Sequence, residues 1–369
     1  MTRATGAVPA LADADAQDLL GLTAALVAVP SPSHREEAIA AAVHERLRAR
    51  APGLEVEQVG ASVVARTAFG RERRVVLGGH LDTVPPNGNE VPRLDGDVLH
   101  GLGSADMKGG IAVLLRLAEA LAQRPDATPY DCTLAFYECE EVADEYNGLR
   151  LVFEQRPDLL AGDFAVLLEP TDGWIEAGCQ GTLHLKAWFD GERAHSARPW
   201  LGTNAIYRAA PVLTRLSVHE SDTVDVEGLE FRESLEVVRI EGGVANNVVP
   251  DACSFVVNRR FAPSYSLDEA RAQVEILLDG ADRIEVLGGA EGARPNLTHP
   301  LVADFVDGLA VGVRPKLGWT DVARFASRGV PAVNFGPGDP EIAHSAGEHV
   351  TRQSVERCYA VLAEFLGLG

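Results

Sequence analysis

The chain has 369 residues, of which 46% are hydrophobic and 24% charged, and its 33 Lys and Arg against 54 Asp and Glu give a net charge of −21. This length favours two or three domains, and the balanced composition excludes a disordered chain. The strong negative charge argues against nucleic acids and anionic membranes as partners, because both would repel it.

Predicted helices and strands alternate through the first half of the chain. Apolar residues at helical spacing predict helices over 15–29 and 35–50, separated by a proline-rich hinge at 29–33. The elements predicted after them are strands at 54–59, 62–67 and 74–77, a helix at 107–122, and strands at 133–137 and 164–168. This order predicts an α/β fold, with a sheet that carries helices on its faces.

The pattern changes at about residue 181. The next predicted elements are a strand at 183–189, a helix at 203–219, strands at 235–240 and 254–258, and a helix at 267–278. This β-α-β-β-α order predicts a small α+β domain in which two helices cover one sheet face. Alternation resumes with a helix at 299–311, a strand at 331–335 and a helix at 351–367. We therefore expect one discontinuous domain, residues 1–180 and 289–369, interrupted by an inserted domain, residues 181–288.

Cysteine usage and the amino terminus both bear on location. The five cysteines are an odd number with no CxxC pair, which favours a reducing cytoplasm over a disulfide framework. The first thirty residues lack the uninterrupted apolar core of a secretory signal, and no segment reaches the roughly 18 apolar residues of a membrane helix. We expect a cytoplasmic protein with no membrane association.

The first candidate site residues, His80 and Asp82, come directly after the strand at 74–77. Ligands of α/β sheets gather beyond the carboxyl ends of strands. Side chains two residues apart on a strand point the same way, so Asp82 is predicted to accept the second ring N–H of a metal-bound His80 and fix its tautomer. The alternative is a simple hydrogen-bonded pair at the start of a loop.

Asp106 lies in the glycine-rich segment 101–110, which opens a long predicted helix. An aspartate there can act merely as a helix cap. The surrounding glycines, however, would let backbone pack closely around one carboxylate, which a cap does not require. The remaining candidates each lie at or just beyond the end of a predicted strand: Glu140, Glu141, Glu169 and His344.

Together these residues predict a two-metal centre on one rim of the sheet. Crowded carboxylates at a strand end repel one another unless a cation lies among them. Neutral imidazoles with carboxylates suit Zn²⁺ or Co²⁺, and a bridging carboxylate can hold two ions ~3.5–4 Å apart. Asp106, Glu141, Glu169 and a hydroxide would balance the charge of two divalent ions. Glu140 faces the other way along the strand end and is predicted to be the base for a water molecule.

The ordered set resembles the M20 family of di-zinc amidohydrolases and peptidases, from about residue 16 to 367. The resemblance implies a zinc-peptidase-like catalytic domain with a mixed sheet flanked by helices, a dimerisation or lid domain inserted in it, and a homodimer. It also implies two Zn²⁺ per subunit, for which Co²⁺ can substitute. The implied roles are as follows: one ion bound by His80 and Glu169, the other by Glu141 and His344, Asp106 bridging, and Glu140 as general acid/base.

One departure from the family pattern is Cys139, where the family often has Asp before the Glu pair. Because that position is not a ligand, we expect little effect.

Within the family, four stretches resemble the actinobacterial type of succinyl-diaminopimelate desuccinylase: 179–183, 193–198, 242–250 and 318–321. This implies hydrolysis of N-succinyl-LL-2,6-diaminopimelate to succinate and LL-2,6-diaminopimelate in lysine biosynthesis. It also implies that His195, supplied across a dimer interface, donates to the oxyanion. The alternative for His195 is a bond to Ser196 or to backbone. Some other desuccinylases have a substrate-binding Asn near position 339, where this chain has Asp, so that contact is not expected.

The implied substrate carries three carboxylates, and an acidic protein needs local cations to bind it. Arg260 and Arg198 are the best-placed cations, whereas Arg259 is expected to face solvent and Arg198 could equally form a surface salt bridge. Asn246 and Asn247 either contact substrate or only form a turn. Thr320 either caps a short helix or offers its hydroxyl and helix-end amides to a carboxylate.

The sequence leaves three alternative functions to consider. An acetylornithine deacetylase-like enzyme, or another N-acyl-amino-acid amidohydrolase or dipeptidase, would use the same residues. A non-catalytic protein with a structural metal is disfavoured because Glu140 would be a spare carboxylate beside a full ligand set. A cysteine hydrolase based on Cys179 is disfavoured because no base is predicted near it.

Overall fold

A computed structural model of the protein describes residues 9–308 and 311–369. The helices in those residues are α1 (Leu19–Val27), α2 (Glu37–Arg50), α3 (Gly109–Gln123), α4 (Gly148–Gln155), α5 (Ala205–Ser217), α6 (Leu267–Leu277), α7 (Pro300–Gly308), α8 (Val322–Ala326) and α9 (Arg352–Phe365). Residues 309–310, at the end of the helix predicted over 299–311, lie outside the described residues. Among the described residues, no helix is long and apolar enough to cross a bilayer.

The strands are β1 (Glu55–Val59), β2 (Ser62–Arg66), β3 (Arg74–His80), β4 (Arg93–Asp95), β5 (Val98–His100), β6 (Asp131–Tyr137), β7 (Phe164–Leu167), β8 (Ile175–Cys179), β9 (Gly181–Asp190), β10 (Ala194–His195), β11 (Thr223–Val226), β12 (Leu229–Arg232), β13 (Ser234–Gly242), β14 (Val248–Val249), β15 (Ala252–Phe261), β16 (Arg283–Ala290), β17 (Val313–Lys316), β18 (Ala332–Asn334) and β19 (His349–Thr351).

The chain divides into two compact units. Unit 1 comprises Met1–Ala177, Asn296–Arg314 and Arg324–Gly369, and unit 2 comprises Gly178–Pro295 and Pro315–Ala323. Unit 2 thus contains the whole segment expected to be inserted, 181–288, and extends beyond it. Strand β16 continues past residue 288 to Ala290. The Gln180 N–H donates to the Lys316 carbonyl oxygen, which connects the residues before 181 to the segment that begins at Pro315.

Unit 1 is built on an eight-stranded sheet with the order β1-β2-β6-β3-β7-β18-β8-β17. The sheet is mixed, as expected: β6, β3, β7 and β18 run parallel to their neighbours in that series, whereas β2 and β8 flank them antiparallel. Every residue of β6 and of β7 is buried, as is typical of strands covered on both faces. Because β3, β6 and β7 are parallel, the residues that follow them emerge at one edge of the sheet.

Unit 2 is built on an antiparallel sheet with the order β13-β15-β9-β16. Side chains of β9 alternate between buried and half-buried, and α5 and α6 pack with the buried set. The predicted β-α-β-β-α series is present, but β16 is an additional edge strand that the sequence analysis missed. Most of its residues are exposed, and its polar and apolar residues alternate only over 283–286, before Leu287 and two glycines interrupt the pattern.

Candidate metal centre

The carboxylate of Asp106 lies between two imidazoles. Its Oδ1 is 3.0 Å from His80 Nε2, and its Oδ2 is 3.4 Å from His344 Nε2. Each oxygen therefore faces a different imidazole, which is the geometry that a ligand bridging two ions requires.

One further carboxylate lies beside each imidazole. Glu141 Oε1 is 2.8 Å from His344 Nε2, and Glu169 Oε2 is 4.0 Å from His80 Nε2. Ligand atoms of His80, Asp106 and Glu141 all lie within 4.8 Å of one another. The five residues thus form two donor sets, each with one nitrogen and two oxygens, that share Asp106. Such mixed imidazole and carboxylate sets fit a pair of Zn²⁺ ions.

The parallel strands explain how distant parts of the chain converge here. His80 is the last residue of β3, and Glu141 and Glu169 follow β6 and β7 at the same sheet edge. Asp106 lies in the irregular turn Ser104–Lys108 that precedes α3, where the Asp106–Met107 peptide is cis. His344 lies between β18 and β19 with a positive φ of 62°.

The carboxylates and imidazoles of the site shift one another's pKa values. Burial lowers the pKa of His80, but Asp106, Asp82 and Glu169 together raise it well above its usual value. Asp106 and Glu141 raise the pKa of His344 to about 10. The same two imidazoles hold the pKa of Asp106 well below its ordinary value despite its burial. The three carboxylates of Asp106, Glu141 and Glu169 therefore favour positive charge between them, which either protons on the imidazoles or divalent cations can supply.

Asp82 lies beside the His80 ring and also contacts the segment that follows β6. His80 Nδ1 is 3.0 Å from the Asp82 backbone oxygen and 3.4 Å from its Oδ1, so the carbonyl is the nearer partner. The buried carboxylate also accepts the backbone N–H groups of Glu140 and Glu141 at 3.0 and 3.1 Å and the Ser33 hydroxyl at 2.8 Å. An ionised carboxylate has about four acceptor sites, so Asp82 can accept these donors and still lie close to the imidazole. Asp82 thus holds the segment that carries Glu140, whose side chain is half-buried.

Glu348 was missed by the sequence analysis. Its side chain is 1% exposed, and its Oε1 accepts the N–H groups of Ala105 and Asp106 at 3.0 and 3.1 Å. The available signal was an acidic residue four positions after His344, just before a short strand. That signal is weak, because the contact spans more than 240 residues of sequence.

A second group of possible ligands comprises Glu36, Glu138 and Cys139. Their oxygens are already used in loops, since Glu36 accepts the Cys139 N–H at 3.0 Å and Glu138 accepts the Ala61 N–H at 2.7 Å. Burial raises the pKa of the Cys139 thiol to about 12. This group therefore consists of loop contacts next to the segment that carries Glu140 and Glu141.

Four of the predicted substrate-site residues share one surface of unit 2. Strands β10 and β14 pair, and the Asn247 carbonyl oxygen accepts the Ser196 N–H at 2.9 Å. The ring of His195 accepts the Ala197 N–H at 3.0 Å, which is the bond to backbone considered as its alternative. The four residues brought together in this way, all exposed, are His195, Arg198, Asn246 and Asn247.

The two arginines at the end of β15 face opposite sides of the sheet. The expectation that Arg259 faces solvent is wrong: it is 5% exposed and forms an ion pair with Glu233. Arg259 has the same parity as the core residues Phe255 and Val257, so it points to the face that the helices cover. Arg260 is half-buried on the opposite face.

Thr320 belongs to unit 2 and is 7% exposed. Its backbone oxygen accepts the Ala323 N–H at 3.1 Å, at the start of the short helix α8. The predicted helix start is therefore present.

Comparison with known proteins gives a consistent result. Residues 76–367 match the sequence profile described as Peptidase family M20/M25/M40. The chain is 48% identical to a Mycobacterium tuberculosis protein provisionally named succinyl-diaminopimelate desuccinylase, over 95% of this chain and 98% of that one. It is 45% identical to the succinyl-diaminopimelate desuccinylase of Corynebacterium glutamicum, over 95% of this chain and 97% of that one. Its fold is similar to that of a Staphylococcus aureus tripeptidase, with a TM-score of 0.80, 20% identity, and 96% and 98% of the two chains covered.

Proposed function

Because the chain belongs to peptidase family M20/M25/M40, we propose that it hydrolyses the succinyl amide of N-succinyl-LL-2,6-diaminopimelate, releasing succinate and LL-2,6-diaminopimelate. The observation that carries hydrolysis is the Asp106 carboxylate, which faces one imidazole with each oxygen. The substrate is supported by the names of two relatives that are 45% and 48% identical over nearly their whole length. The reaction would belong to lysine and diaminopimelate biosynthesis.

The metal centre is assigned two Zn²⁺ ions, for which Co²⁺ can substitute. His80 and Glu169 would hold one ion, His344 and Glu141 the other, and Asp106 both. When bound, the pair supplies a Lewis acid for the scissile carbonyl and lowers the pKa of a water molecule. The distances between the donor atoms support this assignment.

Glu140 is assigned the proton transfers. As general base it takes a proton from the attacking water, whose oxygen forms the new bond to the amide carbon. As the C–N bond breaks, Glu140 returns that proton to the leaving amine. The hydrogen bond from the Glu140 N–H to Asp82 supports the role, because it fixes the backbone that presents the carboxylate.

Substrate contacts are assigned to unit 2. Arg198, Arg260, Asn246, Asn247 and Thr320 would bind the substrate carboxylates, which a chain with a net charge of −21 would otherwise repel. His195 of a partner subunit would donate to the oxyanion, and its exposure supports a role across an interface.

A homodimer through unit 2 is part of the proposal. The edge strand β13 exposes Val238 and Ile240, which are 58% and 54% accessible. On α5, Ile206 lies beside Gly242 at the end of this strand, and its neighbour Tyr207 is 76% exposed. An edge strand next to apolar side chains is a surface that a second copy can cover.

The five cysteines all lie in the described part of the chain, and all are free and buried. Unpaired thiols of this kind are typical of a reducing compartment, and we assign the protein to the cytoplasm.

One assay panel tests the function. The zinc-loaded enzyme is given N-succinyl-LL-2,6-diaminopimelate, N-acetylornithine and dipeptides at equal concentrations, and kcat/KM is compared. We expect kcat/KM for the succinyl compound to exceed that for the other substrates by at least about tenfold. This ratio corresponds to about 1.4 kcal/mol of transition-state binding. A preference for the acetyl compound or a dipeptide would contradict the substrate assignment and leave the hydrolase in place.

A further inference from the structure

The turn that carries Asp106 is held at two points by one residue of a distant segment. The Gly101 N–H donates to the backbone oxygen of Glu348 at 3.1 Å. Oε1 of the same residue accepts the N–H groups of Ala105 and Asp106 at 3.0 and 3.1 Å. Glu348 therefore binds the backbone both at Gly101, three residues before the turn, and at Asp106 itself.

Helical hydrogen bonds do not hold Asp106 in this position. Its φ and ψ are −119° and 94°, far from helical values, because α3 begins only at Gly109. A backbone of this kind needs another acceptor for its amide, and a buried carboxylate is a strong one. The direction of the Asp106 carboxylate therefore depends on Glu348. Among the described residues, the contacts of the Glu348 side chain are with backbone N–H groups and not with His80 or His344.

The same segment presents the second imidazole. His344 lies four residues before Glu348, and the Glu348 N–H donates to the Ser345 carbonyl oxygen at 3.2 Å. The side chain of Asn89 donates to that same oxygen at 3.0 Å. A hydrogen-bonded turn thus links His344, whose ring faces Asp106 Oδ2, with Glu348, whose carboxylate accepts the Asp106 N–H.

We propose that Glu348 is a positioning residue that sets the bridging geometry of Asp106 between His80 and His344. It acts as a hydrogen-bond acceptor and does not touch an ion or the substrate. The inference rests on the proposed di-metal function but does not depend on which acyl group is cleaved.

The test compares metal binding in three variants, without using activity. Glu348→Leu removes the acceptor, Glu348→Asp shortens it, and Glu348→Gln keeps an oxygen at the same distance. We measure both Co²⁺ dissociation constants by calorimetry and the visible Co²⁺ spectrum, which reports ligand geometry. Outer partners of metal ligands typically change affinity by about 10–100-fold, so we expect a loss of that size and an altered spectrum in the Leu variant. The Gln variant should stay within about threefold of wild type, because its amide oxygen accepts the same N–H groups.

Asp131 provides a matched control. It is a buried carboxylate at the opposite end of β6 from Glu141, and it accepts the N–H groups of Phe69 and Arg71. Asp131→Leu should lower the melting temperature and leave both dissociation constants and the spectrum unchanged. An effect in Asp131→Leu equal to that in Glu348→Leu would reduce Glu348 to a general stabilising role and overturn the inference.

The remaining outcomes are also decisive. Wild-type binding in the Leu variant, or equal damage in the Gln and Leu variants, overturns the inference. If the Leu variant does not fold, weaker binding in Glu348→Asp than in Glu348→Gln supports it, and equal binding overturns it. A wild-type protein that binds two ions but prefers another acyl group contradicts only the substrate assignment, whereas one that binds fewer than two ions overturns both proposals.

Discussion

The Asp82 carboxylate anchors the backbone of Glu140. Asp82 Oδ1 accepts the Glu140 N–H at 3.0 Å, and the backbone oxygen of Asp82 lies 3.0 Å from His80 Nδ1. Asp82 is 0% exposed, so water does not compete for these bonds. One residue therefore orients both a proposed metal ligand and the proposed general base, and the two halves of the chemistry are linked through it.

Asp82→Asn tests this link. The amide group keeps one acceptor but turns an NH₂ toward one of the two backbone N–H groups, and two donors repel. We expect kcat to fall by about 10–100-fold with little change in KM, in line with other outer partners of metal sites. Steady-state kinetics of zinc-loaded protein measures the effect. Ser33→Ala, which removes only the hydroxyl donor to Asp82, should lose less.

Glu140→Gln tests the proton-transfer role. The variant cannot accept or return a proton, so kcat should fall by about 10²–10⁴-fold. Metal content, measured by atomic emission, should stay at the wild-type level, because Glu140 is not one of the five proposed ligands. Unchanged turnover in a metal-replete variant would remove Glu140 from the proposal.

Protons and metal ions compete for the centre. His344 has its pKa raised to about 10 by Asp106 and Glu141, so its ring is protonated at neutral pH in the metal-free protein. Binding an ion must displace that proton. We therefore expect zinc affinity to rise with pH between 6.5 and about 10. Calorimetry in buffers of different ionisation enthalpy measures the protons released, and metal binding that releases no proton at neutral pH would contradict the prediction.

The raised pKa of His344 also makes the stability of the metal-free protein depend on pH. A histidine whose folded pKa exceeds its unfolded value of 6.5 stabilises the fold fully below pH 6.5 and loses this contribution as the pH rises through about 10. The difference in melting temperature between wild type and His344→Gln should therefore shrink over this range. A difference that grows with pH would mean that the imidazole is neutral in the folded protein.

Much of the metal centre is predictable because parallel strands place their carboxyl ends at one sheet edge. His80 ends such a strand, Glu141 and Glu169 follow two others, and the structure brings them together. Glu348 could not be predicted in this way, because its role depends on two backbone amides more than 240 residues away. Strand parity could have placed Arg259 correctly, since it shares its face with Phe255 and Val257. Edge strand β16 was missed because its alternation covers only residues 283–286 and is followed by two glycines.

The proposed dimer surface gives a prediction for β13. Ile240→Lys places a charge on the exposed edge strand and should shift the protein toward monomer in sedimentation velocity, without lowering its melting temperature. Val286→Lys on the opposite edge strand β16, where the side chain is 43% exposed, is the matched control and should leave the dimer intact. Wild-type protein that sediments as a monomer at high concentration would reject this interface.

Arg259 and Arg260 point to opposite faces of the sheet. Replacing the first should therefore lower stability, whereas replacing the second should weaken substrate binding. Arg259→Gln leaves the buried Glu233 carboxylate without its cation, and breaking such a pair costs about 3–5 kcal/mol. Arg260 is half-buried on the other sheet face, and Arg260→Gln should keep the melting temperature while raising KM for the succinylated substrate. A lost interaction with a charged group is typically worth about 1.5–3 kcal/mol, which corresponds to a rise in KM of about 10–150-fold. Thermal melts and steady-state kinetics on both variants check the contrast. If Arg260→Gln leaves KM unchanged, the substrate carboxylates are bound elsewhere.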